Sequence, residues 1–178
     1  MPRIAKPSFV TTLTDDQWNR TGLAERALHV ARSQDAVKEF PKGSNAGPMV
    51  TLYLRVAGIF FPAAWCAAFV FWCLLIAGAD KEKLPKYPAS TYWWWKWAGD
   101  TGRLFSTPLR GRLGLYNDKK GGHIWFVLSG NNPHRTLEGN TNKDGSREGY
   151  MVADRERSVL DMRKHARNGF VLIDDSLF

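Results

Sequence analysis

The chain has 178 residues, 44% hydrophobic and 24% charged. That is enough for one domain with a real core, too few for two comfortable ones, and too apolar for wholesale disorder. The formal net charge of +8 points to anionic partners such as nucleic acid, anionic lipid or an acidic wall polymer. The two cysteines, Cys66 and Cys73, cannot make a disulfide framework, and both are expected as free thiols.

The first residues, MPRIAKPSFVTTLTDD, are partly basic but lack the apolar stretch of a secretory signal. Residues 1–20 are therefore read as an N-terminal extension, residues 21–178 as a single domain, and the chain as cytoplasmic at synthesis. Thr14 and Gln17 have capping-box spacing, and Thr21 is placed to cap a second start after Gly22. Leu23, Ala27, Val30 and Ala31 recur at helical spacing, so a first amphipathic helix runs to about Ser33. EFPKGSNAGP, 39 to 48, is dense in turn formers and reads as a loop, and Pro48 suits the first position of a second helix.

No charged residue falls between Val56 and Ala79, nominally enough for a membrane span. Gly58 and Pro62 interrupt it, however, and the flanking charges show no one-sided cluster. The expectation is a buried core helix from about Trp65 to Ala77, stopped by Gly78, with no stable membrane insertion. Ser90 is placed to cap a short tryptophan-rich helix in TYWWWKWAG. Beyond Gly102 the runs LGLY, HIWFVL, RTLEGN, YMVADR and FVLID alternate with Gly, Asn and Asp clusters, as strands separated by hairpin turns do. Helices first and antiparallel strands afterwards predict an α+β fold, the N-terminal helices packed on a C-terminal antiparallel sheet.

Cys66 falls at the start of the third long helix, where unpaired N–H groups and the positive end of the dipole favour a thiolate. Cys73 lies two turns further in, among apolar residues. A nucleophile and a small core hydrophobe are both open readings of Cys66. His123 opens the strand HIWFVL beside Gly121 and Gly122, as a general base or as an ordinary strand-end histidine. His134 reads as a turn residue. No histidines have metal-ligand spacing, so no metal and no cofactor are expected. Glu138 and Asn140, two apart on the next strand, share a face, and either could hold an imidazole in the tautomer a base needs.

Helix-start cysteine, then histidine, then a polar residue on the adjacent strand is the papain-type order. With KEFPKGSNAGPMVTLYLRVAG, AAWCAAFVFWCLLIAGA, GGHIWFVLSG and LEGNTNKDGSREGYMVADRER, the chain resembles the CHAP family of cysteine amidohydrolases and endopeptidases, within the NlpC/P60-like papain superfamily, over about residues 21 to 173. RGRLGLYNDKK stands where that family usually carries a Pro-Gly-Asp-like turn. The resemblance implies a papain-like fold and cleavage of bacterial peptidoglycan, at the muramoyl–alanine amide or at a peptide bond of the stem or cross-bridge. It also implies Cys66 as nucleophile, His123 as base and Glu138 as the orienting residue, with Asn140 as second candidate. Trp65, Glu39 and Asn45 are expected to line or brace the substrate cleft. A phage endolysin or a bacterial wall-degrading enzyme, brought to the wall by another system, fits that picture.

Charge and aromatics leave a second class open, a non-catalytic basic nucleic-acid-binding module, but no nucleic-acid motif supports it and no nucleic-acid partner is expected. The segment from Arg103 to Arg135 holds six Lys or Arg against one Asp, and reads equally as a wall-attracting patch or a solvated face. At least two of the four tryptophans in YWWWKW are expected to pack on the core.

Overall fold

A computed structural model describes residues 4–143 and 149–178. The chain begins with α1 (Asp15–Arg20), whose N-cap Thr14 and Gln17 form the expected reciprocal capping box. Then comes α2 (Leu23–Arg32), whose buried face includes Leu23, Ala27, Val30 and Ala31. Thr21 does not cap it. Its hydroxyl donates to the Gln17 carbonyl and closes α1 instead, while the Asp175 carboxylate accepts the Leu23 N–H at 2.8 Å from the far end of the chain. Residues from the N-terminal segment also join the core. Val10 and Trp18 are fully buried in the main core, and the Trp18 indole donates to the Ile4 carbonyl.

Helix α3 (Pro48–Val56) starts on Pro48, whose missing N–H is no loss at a helix start. Helix α4 (Cys66–Ala77) ends at Gly78 with φ 109°, a conformation glycine adopts without a Cβ penalty. It is apolar on all sides because all of it but Leu75 and Ile76 is buried, packing on α2, α3 and two strands of the sheet. Each large side chain it buries contributes roughly 1.5–3 kcal/mol. Among the described residues no helix is long and apolar enough to cross a membrane. Helix α5 (Thr91–Asp100) follows Ser90, which takes the N-cap position without a side-chain cap bond. Its Trp94 is fully buried with the indole on the Pro88 carbonyl, and Trp95 and Trp97 pack partly on the same core.

Six strands follow: β1 (Leu104–Phe105), β2 (Leu113–Asp118), β3 (Gly121–Val127), β4 (His134–Thr141), β5 (Met151–Arg157) and β6 (Arg167–Val171), with α6 (Val159–Met162) before the last. They form one antiparallel sheet in the order β1-β6-β2-β3-β4-β5. The fold is α+β, helices first and sheet afterwards. Leu113, Leu115, Ile124, Phe126 and Leu137 point into the main core under the helices. Trp125, Val127 and Phe170 point the other way, where Val159 and Met162 of α6 cover them. Strand alternation therefore puts His123 on the face of Trp125, away from the main core.

Candidate functional site

Glu138 lies on that same face of β4, one step from Leu137, and is fully buried. Its carboxylate is saturated. Oε2 meets His123 Nε2 at 2.8 Å, Thr136 Oγ1 donates to Oε1 at 2.6 Å, and Arg157 donates from Nε to Oε1 and from Nη2 to Oε2. With Nε2 on Glu138, the other imidazole nitrogen of His123 is left for the thiol of Cys66, which reaches the site from the first turn of α4. A cleft of about 560 Å³ opens over this group, with Cys66, His123, Tyr116, Asn140 and Arg157 in its walls.

Electrostatics follow the geometry. Burial works to lower the pKa of His123, but hydrogen bonding to Cys66 and Glu138, and the charge of both, push it up to about 9. Burial works to raise Glu138, yet Arg157 and His123 overcome it and hold the carboxylate well below its ordinary range. Cys73 is fully enclosed in α4, and burial pushes its thiol well above the ordinary value. The two thiols thus sit in opposite surroundings. Cys66 is walled in but opens on the cleft, and Cys73 is sealed in the core.

The sequence candidates separate. Cys66, His123 and Glu138 come together, and Glu138 rather than Asn140 holds the imidazole. Asn140 lies within an irregularity in the β4–β5 pairing, between Glu138 and Thr141, with φ 53°, and lines the cleft. The regular alternation that would make it equivalent to Glu138 is broken there. Trp65 and Glu39 do not line the cleft. Both are buried, and the Trp65 indole donates to Glu39 Oε1 at 2.8 Å, tying the residue before Cys66 to the 39–47 loop. Asn45, φ 51°, borders a separate small pocket with Phe60, Phe61 and Pro62. Gly122 borders the cleft and is packed closely against α5: a Cβ there would stand 2.3 Å from Thr91 Oγ1.

Three features depart from the sequence reading. His123 is the third residue of β3 and is buried, not a strand-end group at the surface. His134 is no turn residue. It starts β4, is fully buried, and accepts the Trp125 indole N–H at Nε2, 3.2 Å away. Arg157 is not among the sequence candidates, because the strand pattern YMVADR ends at Arg155. The available signal was its parity with Ala153, which pairs with Glu138 across the β4–β5 ladder. Of the basic segment, Arg103 and Arg110 are engaged by Asp174 and Glu25, and Lys120 borders the cleft. Among the described residues no cluster of His, Cys, Asp and Glu could hold a metal ion. Comparison of the chain with protein-family models, with curated proteins and with solved structures finds no match.

Proposed function

We propose that the chain is a cysteine amidohydrolase of the papain-like kind that cleaves an amide bond of bacterial peptidoglycan. One observation carries the chemistry: a cysteine at a helix start shares a cleft with a histidine whose far nitrogen is bound to a buried, arginine-clamped glutamate. The substrate rests on the resemblance of the WCAAFV and EGNTN segments to the CHAP family.

In the first half-reaction His123 takes the Cys66 proton and the sulfur attacks the amide carbonyl carbon. Electrons move to the carbonyl oxygen, which faces the unpaired N–H groups at the start of α4. Collapse of this intermediate breaks the C–N bond, and the imidazolium gives its proton to the departing amine. Water, deprotonated by His123, then attacks the thioester, releasing the carboxylic acid and returning the thiol. Glu138 keeps the imidazole in one orientation and stabilises its cationic form in both steps.

The test is digestion of purified peptidoglycan followed by mass spectrometry of the released fragments, with Cys66→Ser as the control. A freed lactyl carboxyl on muramic acid marks an amidase, and a new stem or cross-bridge amine marks an endopeptidase. If Cys66→Ser releases the same fragments, or the folded wild type releases none from walls of any cross-link type, the proposal is wrong.

A further inference from the structure

The cleft walls carry a charge pattern that the chemistry above does not use. Among the described residues Asp118, at the end of β2, is the one carboxylate that lines the cleft, and both its oxygens are occupied. His165 Nδ1 binds Oδ2 at 2.6 Å, and the backbone N–H of Lys120 donates to Oδ1 at 2.8 Å. The His165 ring is fixed in turn, stacked on Tyr116 with centroids 3.9 Å apart and planes 11° from parallel. These contacts hold the Asp118 carboxyl below its usual range, so it stays ionised, and its charge also bears on Lys120.

The cations are disposed the opposite way. Arg157 is spent on Glu138. Arg155 lines the cleft and donates from Nη1 to a neutral acceptor, the Asn142 carbonyl, at 2.7 Å, while Lys120 stands exposed on the rim. Among the described residues neither has a carboxylate in ion-pair contact. Their positions bracket the nucleophile. Lys120 stands in the β2–β3 turn and Arg155 on β5, with His123 and Glu138 on the strands between. A peptide laid across the strands meets a cation on either side of Cys66.

We propose that Lys120 and Arg155, one on either side of the nucleophile, are specificity-determining residues, one of which docks a free carboxylate beside the scissile amide, so that the cleft selects acidic peptides over their amidated counterparts. This rests on the amidohydrolase reading above. A partly exposed ion pair of this kind is worth up to ~1 kcal/mol, so the contact should give about a fivefold preference.

The probes are two muramoyl tetrapeptides, identical except that the second residue is D-isoglutamate, with its free α-carboxylate, or D-isoglutamine. Binding is measured by calorimetry on Cys66→Ala, and hydrolysis by mass spectrometry on the wild type. The acid should bind at least severalfold more tightly. Of Lys120→Gln, an exposed turn substitution that leaves the core untouched, and Arg155→Gln, the one that removes the docking cation should bring that ratio close to one, and so should the double variant. Equal affinity of Cys66→Ala for the two probes, or a ratio the double variant does not move, would overturn the docking proposal. Should Cys66→Ala prefer the acid while the wild type hydrolyses neither probe, docking stands and the hydrolase reading falls. Equal affinity with hydrolysis of both is the reverse outcome.

Discussion

Arg157 grips Glu138 with two charged hydrogen bonds, Nε to Oε1 at 2.9 Å and Nη2 to Oε2 at 2.6 Å, while the guanidinium lies 5.2 Å from the centre of the Trp125 ring. The pair lets a fully buried carboxylate stay charged beneath an imidazole. Removing the arginine strands that charge. Arg157→Ala should cost about 3–5 kcal/mol in urea denaturation. Arg157→Lys keeps the charge but not the fork, so it should cost less, and it should slow alkylation of Cys66 as the imidazole loses its fixed orientation. Wild-type stability in Arg157→Ala would show that the clamp contributes nothing to the fold.

Glu138→Gln and Asn140 substitutions should behave differently. The amide in Glu138→Gln still reaches His123 but cannot stabilise its cation, so turnover should drop by roughly two to four orders of magnitude. Asn140 has a different burden, its left-handed backbone. Asn140→Ala should lose about 1 kcal/mol that Asn140→Gly does not, with activity reduced far less than in Glu138→Gln. Steady-state assays beside thermal melts of the three variants decide this.

The cysteines should separate in a labelling experiment. Iodoacetamide at neutral pH should modify Cys66 in the folded protein and leave Cys73 untouched until denaturant is added, since Cys73 is sealed and its thiol held protonated by burial. Cys66→Ser should fold and lose turnover. Cys73→Ala should keep turnover and lose on the order of 1 kcal/mol. Peptide mapping that finds Cys73 labelled first contradicts this assignment.

Stability should also carry the signature of His123. Its pKa is raised from about 6.5 unfolded to about 9 folded. A raised pKa means the native state binds the proton more tightly. The stabilisation is therefore present in full below about pH 6.5 and lost as pH rises through the folded value, a change on the order of 3 kcal/mol. Glu138 is displaced downward, so its contribution is present above about pH 4.3 and lost as pH falls further. Urea unfolding at about pH 6 and about pH 9.5 should show a larger alkaline loss in wild type than in His123→Gln. Equal losses would mean that the ring is not held as a cation.

His134 is the position where the sequence reading and the structure give opposite forecasts. A turn histidine tolerates alanine, but a buried one that accepts the Trp125 indole does not. His134→Ala should leave that N–H unpaired and cost about 2–3 kcal/mol by chemical denaturation.

What could be read from sequence was local. Thr14 with Gln17, Pro48 and Gly78 mark helix ends because capping and backbone freedom act over a few residues. The even apolarity of α4 marked it as buried, and Cys66 and His123 stood out as a helix start and a strand near glycines. Less legible was whatever depends on register. The choice between Glu138 and Asn140 turns on an irregularity between Glu138 and Thr141, and Arg157 enters only through the β4–β5 ladder. The cap that Asp175 supplies to α2 is remote in the chain, so no spacing rule finds it. β1, two residues long, is defined by its neighbour β6 rather than by a pattern of its own.

The site draws one group from each of four elements: Cys66 from α4, His123 from β3, Glu138 from β4 and Arg157 from β5. The unfolded chain therefore holds only an ordinary cysteine and an ordinary histidine, with nothing to bring them together. The pairing of Cys66 with His123 and the integrity of the fold are lost together in this molecule. A chain threaded through a narrow channel before refolding would carry two ordinary thiols in transit and regain the paired site only on refolding.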